Sequence, residues 1–236
     1  MPALCAYLYW MKTLNLIVVA TFFVTPIAIS SSADAQTGDD LITAVMHQDL
    51  DKVKSLAEAG VDLNYQDKSY GSTALIVACQ YNMVDIGTYL IDKGADVNIP
   101  ANSGHTPLMA ACTRSEELVN LLLEKGADPS VALPDGTTAF TTAVVGVLNG
   151  SLSTKITDVL LARGADVDES AASGDIAGYT CLMMAARNAS PDLVKYLVEK
   201  GADLNAKASD GNTPLSLATR KDDQEMVTLL KKLGSK

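Results

Sequence analysis

The sequence predicts an all-α repeat solenoid, and three observations carry that prediction. A Gly-Ala-Asp triplet recurs at Gly94, Gly126, Gly164 and Gly201, with Gly60-Val61-Asp62 as a variant, at steps of 34, 32, 38 and 37 residues. A second series opens on glycine and runs toward Leu and Ala: GSTALIVAC from Gly71, GHTPLMAAC from Gly104, GTTAFTTAV from Gly136, GYTCLMMAA from Gly178 and GNTPLSLAT from Gly211, at steps of 33, 32, 42 and 33. Two interleaved series with one period are the signature of stacked units. The composition agrees: 48% of the 236 residues are hydrophobic but only 5% are aromatic, so small aliphatic side chains must fill the core.

The period divides the chain into six units, 37–70, 71–103, 104–135, 136–177, 178–210 and 211–236. The first lacks the Gly-x-Thr opening and the last stops just after Leu233-Gly234, as terminal units of an array do. The third unit shows the local logic. Thr106 suits a helix N-cap and Pro107 the first helical position, where a missing N–H costs nothing. Leu108, Ala111 and Cys112 then share one face of a first helix. Leu118, Val119, Leu121 and Leu122 give a second helix its apolar stripe, and Gly126 supplies the left-handed residue that stops it. Thr213-Pro214 repeats the opening in the sixth unit. The fourth unit is 42 residues long: about six extra residues are expected between its helices, around Gly146 to Thr154, and about four before Gly178, within Ser170 to Ala177. Insertions in solenoids go into loops and often mark a binding edge.

Both series resemble the ankyrin repeat, over about 200 residues of the chain. The resemblance implies helix-turn-helix units joined by β-hairpin fingers, and a protein partner held by the finger tips and the exposed side of the first helices. Carried onto this chain, the finger positions are Tyr70, Ser72, Ser103, His105, Thr137, Tyr179, Asp210 and Asn212. The first-helix positions are Met46, His47, Gln80, Tyr81, Thr113, Arg114, Arg187, Asn188, Arg220 and Lys221. Of these, Tyr70, Tyr81, His105, Arg114, Tyr179, Arg187, Asn188, Arg220 and Lys221 are the candidate partner-binding residues. The tyrosines are amphipathic anchors suited to interfaces, and Arg114, Arg187, Arg220 and Lys221 form a basic row fit for a partner with an acidic patch. The plainer alternative is that these cations pair with carboxylates of neighbouring units. The family's histidine after Thr-Pro-Leu is replaced by Ile76, Met109, Thr141, Met183 and Ser216, which predicts weaker coupling between units.

Residues 1–35 are set aside as an expected signal peptide. Lys12 precedes an apolar run from Leu14 to Ile29, Ser30 to Ser32 follow, and Ala33-Asp34-Ala35 has the small-x-small form of a cleavage site, so cleavage is expected after Ala35. The run is short and polar for a permanent span; an uncleaved anchor is the alternative. Met11-Lys12-Thr13 opens a conventional n-region and offers an alternative start. The resemblance is to exported bacterial ankyrin proteins, which implies a periplasmic or secreted monomer. Its implied roles are neutralising a toxic effector, protecting the envelope under oxidative stress, or acting on a foreign host.

The formal charge of −10 argues against nucleic acid, whose phosphates need a basic surface. Cys79 and Cys112 recur one unit apart on stacked first helices, too far for a disulfide, and Cys181 has no obvious mate; all three are expected reduced and buried. His47 and His105 lack zinc-like spacing to one another or to a cysteine. No Gly-x-Ser-x-Gly elbow and no phosphate-binding Gly-Lys loop is present. Glu116-Glu117 and Asp222-Asp223 fit solvated helix faces. A binding module without cofactor or metal is therefore expected, not an enzyme.

Overall fold

The computed structural model describes residues 37–150 and 152–235; the expected leader at 1–35 lies outside them. Among the described residues twelve α-helices follow one another in six pairs. They are α1 (Gly38–Met46) and α2 (Leu50–Glu58), α3 (Ala74–Gln80) and α4 (Val84–Asp92), α5 (Pro107–Ala111) and α6 (Glu116–Glu124), α7 (Ala139–Leu148) and α8 (Lys155–Ala162), α9 (Cys181–Arg187) and α10 (Pro191–Glu199), and α11 (Pro214–Arg220) and α12 (Gln224–Leu233). The odd-numbered helices pack in sequence as one layer and the even-numbered ones as a second, with α7 seated less extensively on α5 and α9 than its counterparts on one another. None of these helices is long and apolar enough to cross a membrane.

Each first helix from α3 onward begins in the same way. Thr73, Thr106, Thr138, Thr180 and Thr213 sit in extended backbone and accept the N–H three residues on through the side-chain hydroxyl. That bond satisfies one of the four N–H groups a helix start leaves orphaned, and losing one costs about 1 kcal/mol. Leu75, Leu108, Phe140, Leu182 and Leu217 then enter the core. In α6 the buried stripe is Leu118, Val119, Leu122 and Leu123, while Leu121 is only half-buried. The apolar face is thus turned slightly from the expected one.

The closing Asp of each of the first five units has a local job. Asp62, Asp96, Asp128, Asp166 and Asp203 each accept the N–H two residues on, an Asx turn that bends the chain away from the second helix. The residue receiving that bend then reaches to the next unit. Asn64 Oδ1 accepts Asp96 N–H at 2.8 Å, Asn98 Oδ1 accepts Asp128 N–H at 3.0 Å, and Asp168 Oδ1 accepts Asp203 N–H at 2.9 Å. The rung between units three and four is missing: Ser130 turns its hydroxyl onto Asp128, and Asp166 N–H goes instead to Glu169 Oε1 at 3.3 Å.

The fingers are hairpin-like turns closed by short backbone pairs, such as Ala101 N–H to His105 O and Gly104 N–H to Ala101 O. They stop short of strands; among the described residues only the isolated bridge Ser170 to Thr180 has β geometry. Half of the first insertion in unit four is helical. α7 runs to Leu148, whereas α3, α9 and α11 end nine residues after their turn glycine, at Gln80, Arg187 and Arg220. The chain then returns so that Leu152 lies on Gly146, where a Cβ would come within 2.4 Å of Leu152 Cδ1. The second insertion forms a 3-10 turn, Gly174–Ile176, in the fourth finger.

Candidate functional site

The residue before each turn glycine stands at a finger tip, and the residue after it turns inward. Tyr70, Ser103 and Asp210 are exposed, whereas Ser72, His105 and Thr137 are half-buried and Tyr179 and Asn212 are buried. Tyr179 is therefore corrected from a partner-facing anchor to a packing residue, only 5% exposed. Its ring joins Met183, Ala208 and Leu217 in the core beneath the fourth and fifth fingers. Its hydroxyl donates to Asp210 Oδ2 at 3.1 Å and accepts from Asn212 Nδ2 at 3.0 Å. Burying the ring is favourable only because both ends of that hydroxyl are satisfied.

His105 is half-buried, with Nδ1 3.0 Å from Ser103 Oγ, and burial pushes its pKa down. It belongs to its own finger more than to an outside surface. Tyr70 at 66% exposed and Tyr81 at 39% are the tyrosines left open, together with Met46 at 38%.

Among the described residues none of Arg114, Arg187, Arg220 and Lys221 makes an ion pair; the pairs are Lys125 to Asp92, Lys195 to Asp192 and Lys200 to Asp158. The expectation that neighbouring carboxylates absorb these cations in ion pairs is thus corrected, although the Asn212 N–H bond and, after it, the charge of Arg220 help to hold the Asp210 carboxyl below its ordinary range. Arg187 and Arg220 do have local roles. The Arg187 guanidinium lies 6.0 Å from the centroid of the Tyr179 ring, and Arg220 donates to Asn212 Oδ1 at 3.0 Å. Asn188 is exposed but uses its amide on Met184 O at 2.8 Å. Arg114 and Lys221 are exposed. All four cations sit at or just past the C-terminal end of a first helix, where the helix dipole favours positive charge.

Glu169 went unnoticed in the sequence. It occupies the register of Tyr65, Ile99, Val131 and Ala206, three of them apolar, and is half-buried. Its carboxylate accepts from the Thr138 hydroxyl and from Asp166 N–H, and desolvation raises its pKa above the ordinary value. A charged residue at a repeat position held elsewhere by Ile and Val is the signal that would have found it.

The thiols of Cys79, Cys112 and Cys181 are unpaired and buried. Burial pushes Cys79 up to about 12 and raises the other two as well, so none has the thiolate character a nucleophile needs. Among the described residues no cluster of three or more His, Cys, Asp or Glu could hold a metal ion.

Residues 41–132 and 134–236 each match the family model for ankyrin repeats in three copies. The chain is an ankyrin-repeat protein. It is 31% identical over 210 residues to a Danio rerio protein that bears the name palmitoyltransferase ZDHHC13, a match covering 87% of this chain and 31% of that one. It is 30% identical over 183 residues to human ankyrin repeat and SOCS box protein 6, covering 69% and 42% respectively. The chain thus spans less than half the length of either relative. Among solved structures it is similar to the human ASB11 ankyrin repeat domain, with a TM-score of 0.67 and 29% identity over 83% of this chain and 84% of that one. Ankyrin arrays generally mediate protein–protein interaction and are typically non-enzymatic.

Proposed function

We propose that this ankyrin array is a non-enzymatic binding module that grips an acidic surface of a partner protein along its first-helix face. The observation that carries the reading is the row Arg114, Arg187, Arg220 and Lys221, none of which makes an ion pair among the described residues, on a chain of net charge −10. Complementary charge chiefly speeds and orients association, and the exposed Tyr70 and Tyr81 rings supply apolar contact at the other end of the array. The module acts outside the cytoplasm, in a bacterial envelope, on the strength of the leader pattern at residues 1–35; mature protein from expressing cells should begin at Gln36, and retention of the leader would defeat that assignment.

Arg114 and Lys221 are the residues to reverse, because Arg187 and Arg220 also bond within the fold. Affinity purification from the envelope fraction with wild type should recover a partner that Arg114→Glu with Lys221→Glu loses. Thermal stability should fall by no more than a few degrees, from the loss of two favourable charges at helix C-terminal ends. Equal recovery by the double variant would end the reading.

A further inference from the structure

The first helices from α3 onward begin three residues after a turn glycine, so their residues can be compared by distance from it. Nine residues on stand Gln80, Thr113, Val145, Arg187 and Arg220; ten on stand Tyr81, Arg114, Gly146, Asn188 and Lys221. Arg187 and Arg220 reach back from the ninth position to residues of their own fingers, Tyr179 and Asn212, which fixes that register as the finger-facing one. Among units two to six, only unit four is apolar there. Its helix also continues beyond the common end through Gly146, Val147 and Leu148, about 4.5 Å of additional helix at 1.5 Å per residue.

That overhang is not absorbed by the core. Val145, Val147, Leu148 and the returning Leu152 are all half-buried, and Gly146 leaves the space in which Leu152 lies. The result is an apolar ledge midway along a face that carries Met46 and Tyr81 in its first two units and cations in the third, fifth and sixth. Arg114 lies one unit before it, and Arg187, Arg220 and Lys221 lie one and two units after.

We propose that the ledge and the cations on both sides of it form one track for an acidic segment of a partner protein that carries an apolar residue between its carboxylates. The apolar side chain seats on Val147, Leu148 and Leu152, while the carboxylates meet Arg114 on one side and Arg187 on the other. Neighbouring first helices lie about 8–10 Å apart, and an extended chain advances about 3.3 Å per residue. The matching segment therefore places its acids about three residues to either side of the apolar one. The proposal rests on the basic-row reading above and adds the ledge to it.

The test is fluorescence anisotropy on the full chain at low salt, with a fluorescein-labelled peptide Glu-Asp-Gly-Ser-Leu-Ser-Gly-Asp-Glu and its variant with Ser in place of Leu. The Leu peptide should bind saturably, about fivefold tighter than the Ser peptide, as partial burial of one leucine side chain would give. Leu148→Ser should remove that difference, and Arg114→Glu with Lys221→Glu should weaken both peptides. Leu148→Ser should melt within a few degrees of wild type, since the side chain it shortens is only partly buried; if it does not fold, the two peptides compared on wild type still decide. Equal binding of the two peptides, weakened by the charge reversals, would overturn the ledge and leave the basic row standing. No binding of either peptide would overturn the track, while the envelope purification judges the basic row separately.

Discussion

At the scale of single residues, Glu169 is the most informative misfit. Its half-buried carboxylate stands near Asp166 and Cys181 and receives bonds from Thr138 and Asp166 N–H, with desolvation outweighing them. Because its folded pKa lies above its unfolded one, the folded state binds the proton first. Stability contributed by this site therefore rises as pH falls through the raised pKa and is lowest at neutral pH. The carboxylates held below their ordinary range, Asp128, Asp158 and Asp210, act in the opposite sense only at lower pH. Glu169→Gln should thus raise the neutral-pH Tm and flatten its increase between pH 7 and about pH 5; an unchanged profile would contradict the assignment. Tyr179 argues the reverse case. Tyr179→Phe keeps the ring under Arg187 but strips Asp210 and Asn212 of their shared hydroxyl, a loss of about 1–2 kcal/mol that should lower Tm by about 2–6 °C. A residue that only faced a partner would leave Tm where it was. The sequence placed Tyr179 at a tip because register gives the position in a finger but not the direction a side chain takes. That direction is set by the next finger, whose Asp210 and Asn212 stand 31 and 33 residues away.

Elements can be compared with one another inside this molecule, which makes some substitutions legible in advance. Tyr89 on α4 and Tyr196 on α10 stand five residues before their closing glycines, Gly94 and Gly201. Around Tyr196 the junction is complete: its hydroxyl donates to Asp158 Oδ1 at 2.8 Å, and Lys200 pairs with the same atom at 2.8 Å while lying 5.3 Å from the ring. Around Tyr89 a lysine takes the place of that aspartate. Lys54, six residues before Gly60 as Asp158 is before Gly164, lies 6.0 Å from the ring, Lys93 lies 5.4 Å from it, and the buried Tyr89 hydroxyl has no acceptor. Lys54→Asp would recreate the Asp158 arrangement. It should stabilise the array by about 0.5 kcal/mol, since the pair is partly solvated, or about 1–2 °C in Tm, with the gain shrinking in high salt. The helices themselves were readable from threonine caps, apolar stripes and closing glycines because those are local signals. The extra turn of α7 was not. The residues that form it are as compatible with a loop as with a helix, and Leu152 settling on Gly146 is a contact between positions that only the folded loop brings together.

Over the whole array, stability is a sum of units and of the interfaces between neighbours, so the place where several interface terms fall together should open first. Unit four is that place. α7 seats sparsely on α5 and α9, and α8 and α10 are linked by polar contacts of Thr157, Asp158, Tyr196 and Lys200. The asparagine rung that ties units one to two and two to three is absent in front of unit four, and a half-buried carboxylate stands where other units carry Ile or Val. The fingers keep their grip on both sides, through Ala172 N–H to Asp135 O and Ser209 N–H to Ala177 O, and Asp168 still ties unit four to unit five. Ankyrin arrays otherwise fray from their ends, where a unit has one neighbour instead of two. Hydrogen exchange read by mass spectrometry should therefore find α7 and α8 the least protected helices of the four interior units, exchanging well ahead of α3 to α6, while the amides of the fourth and fifth fingers outlast them. A binding track centred on α7 would then be carried by the most yielding part of the solenoid, and a bound acidic segment should slow exchange there before it slows exchange anywhere else. Protection that declines smoothly from the centre to both ends, with α7 and α8 among the slowest, would place the weak point elsewhere.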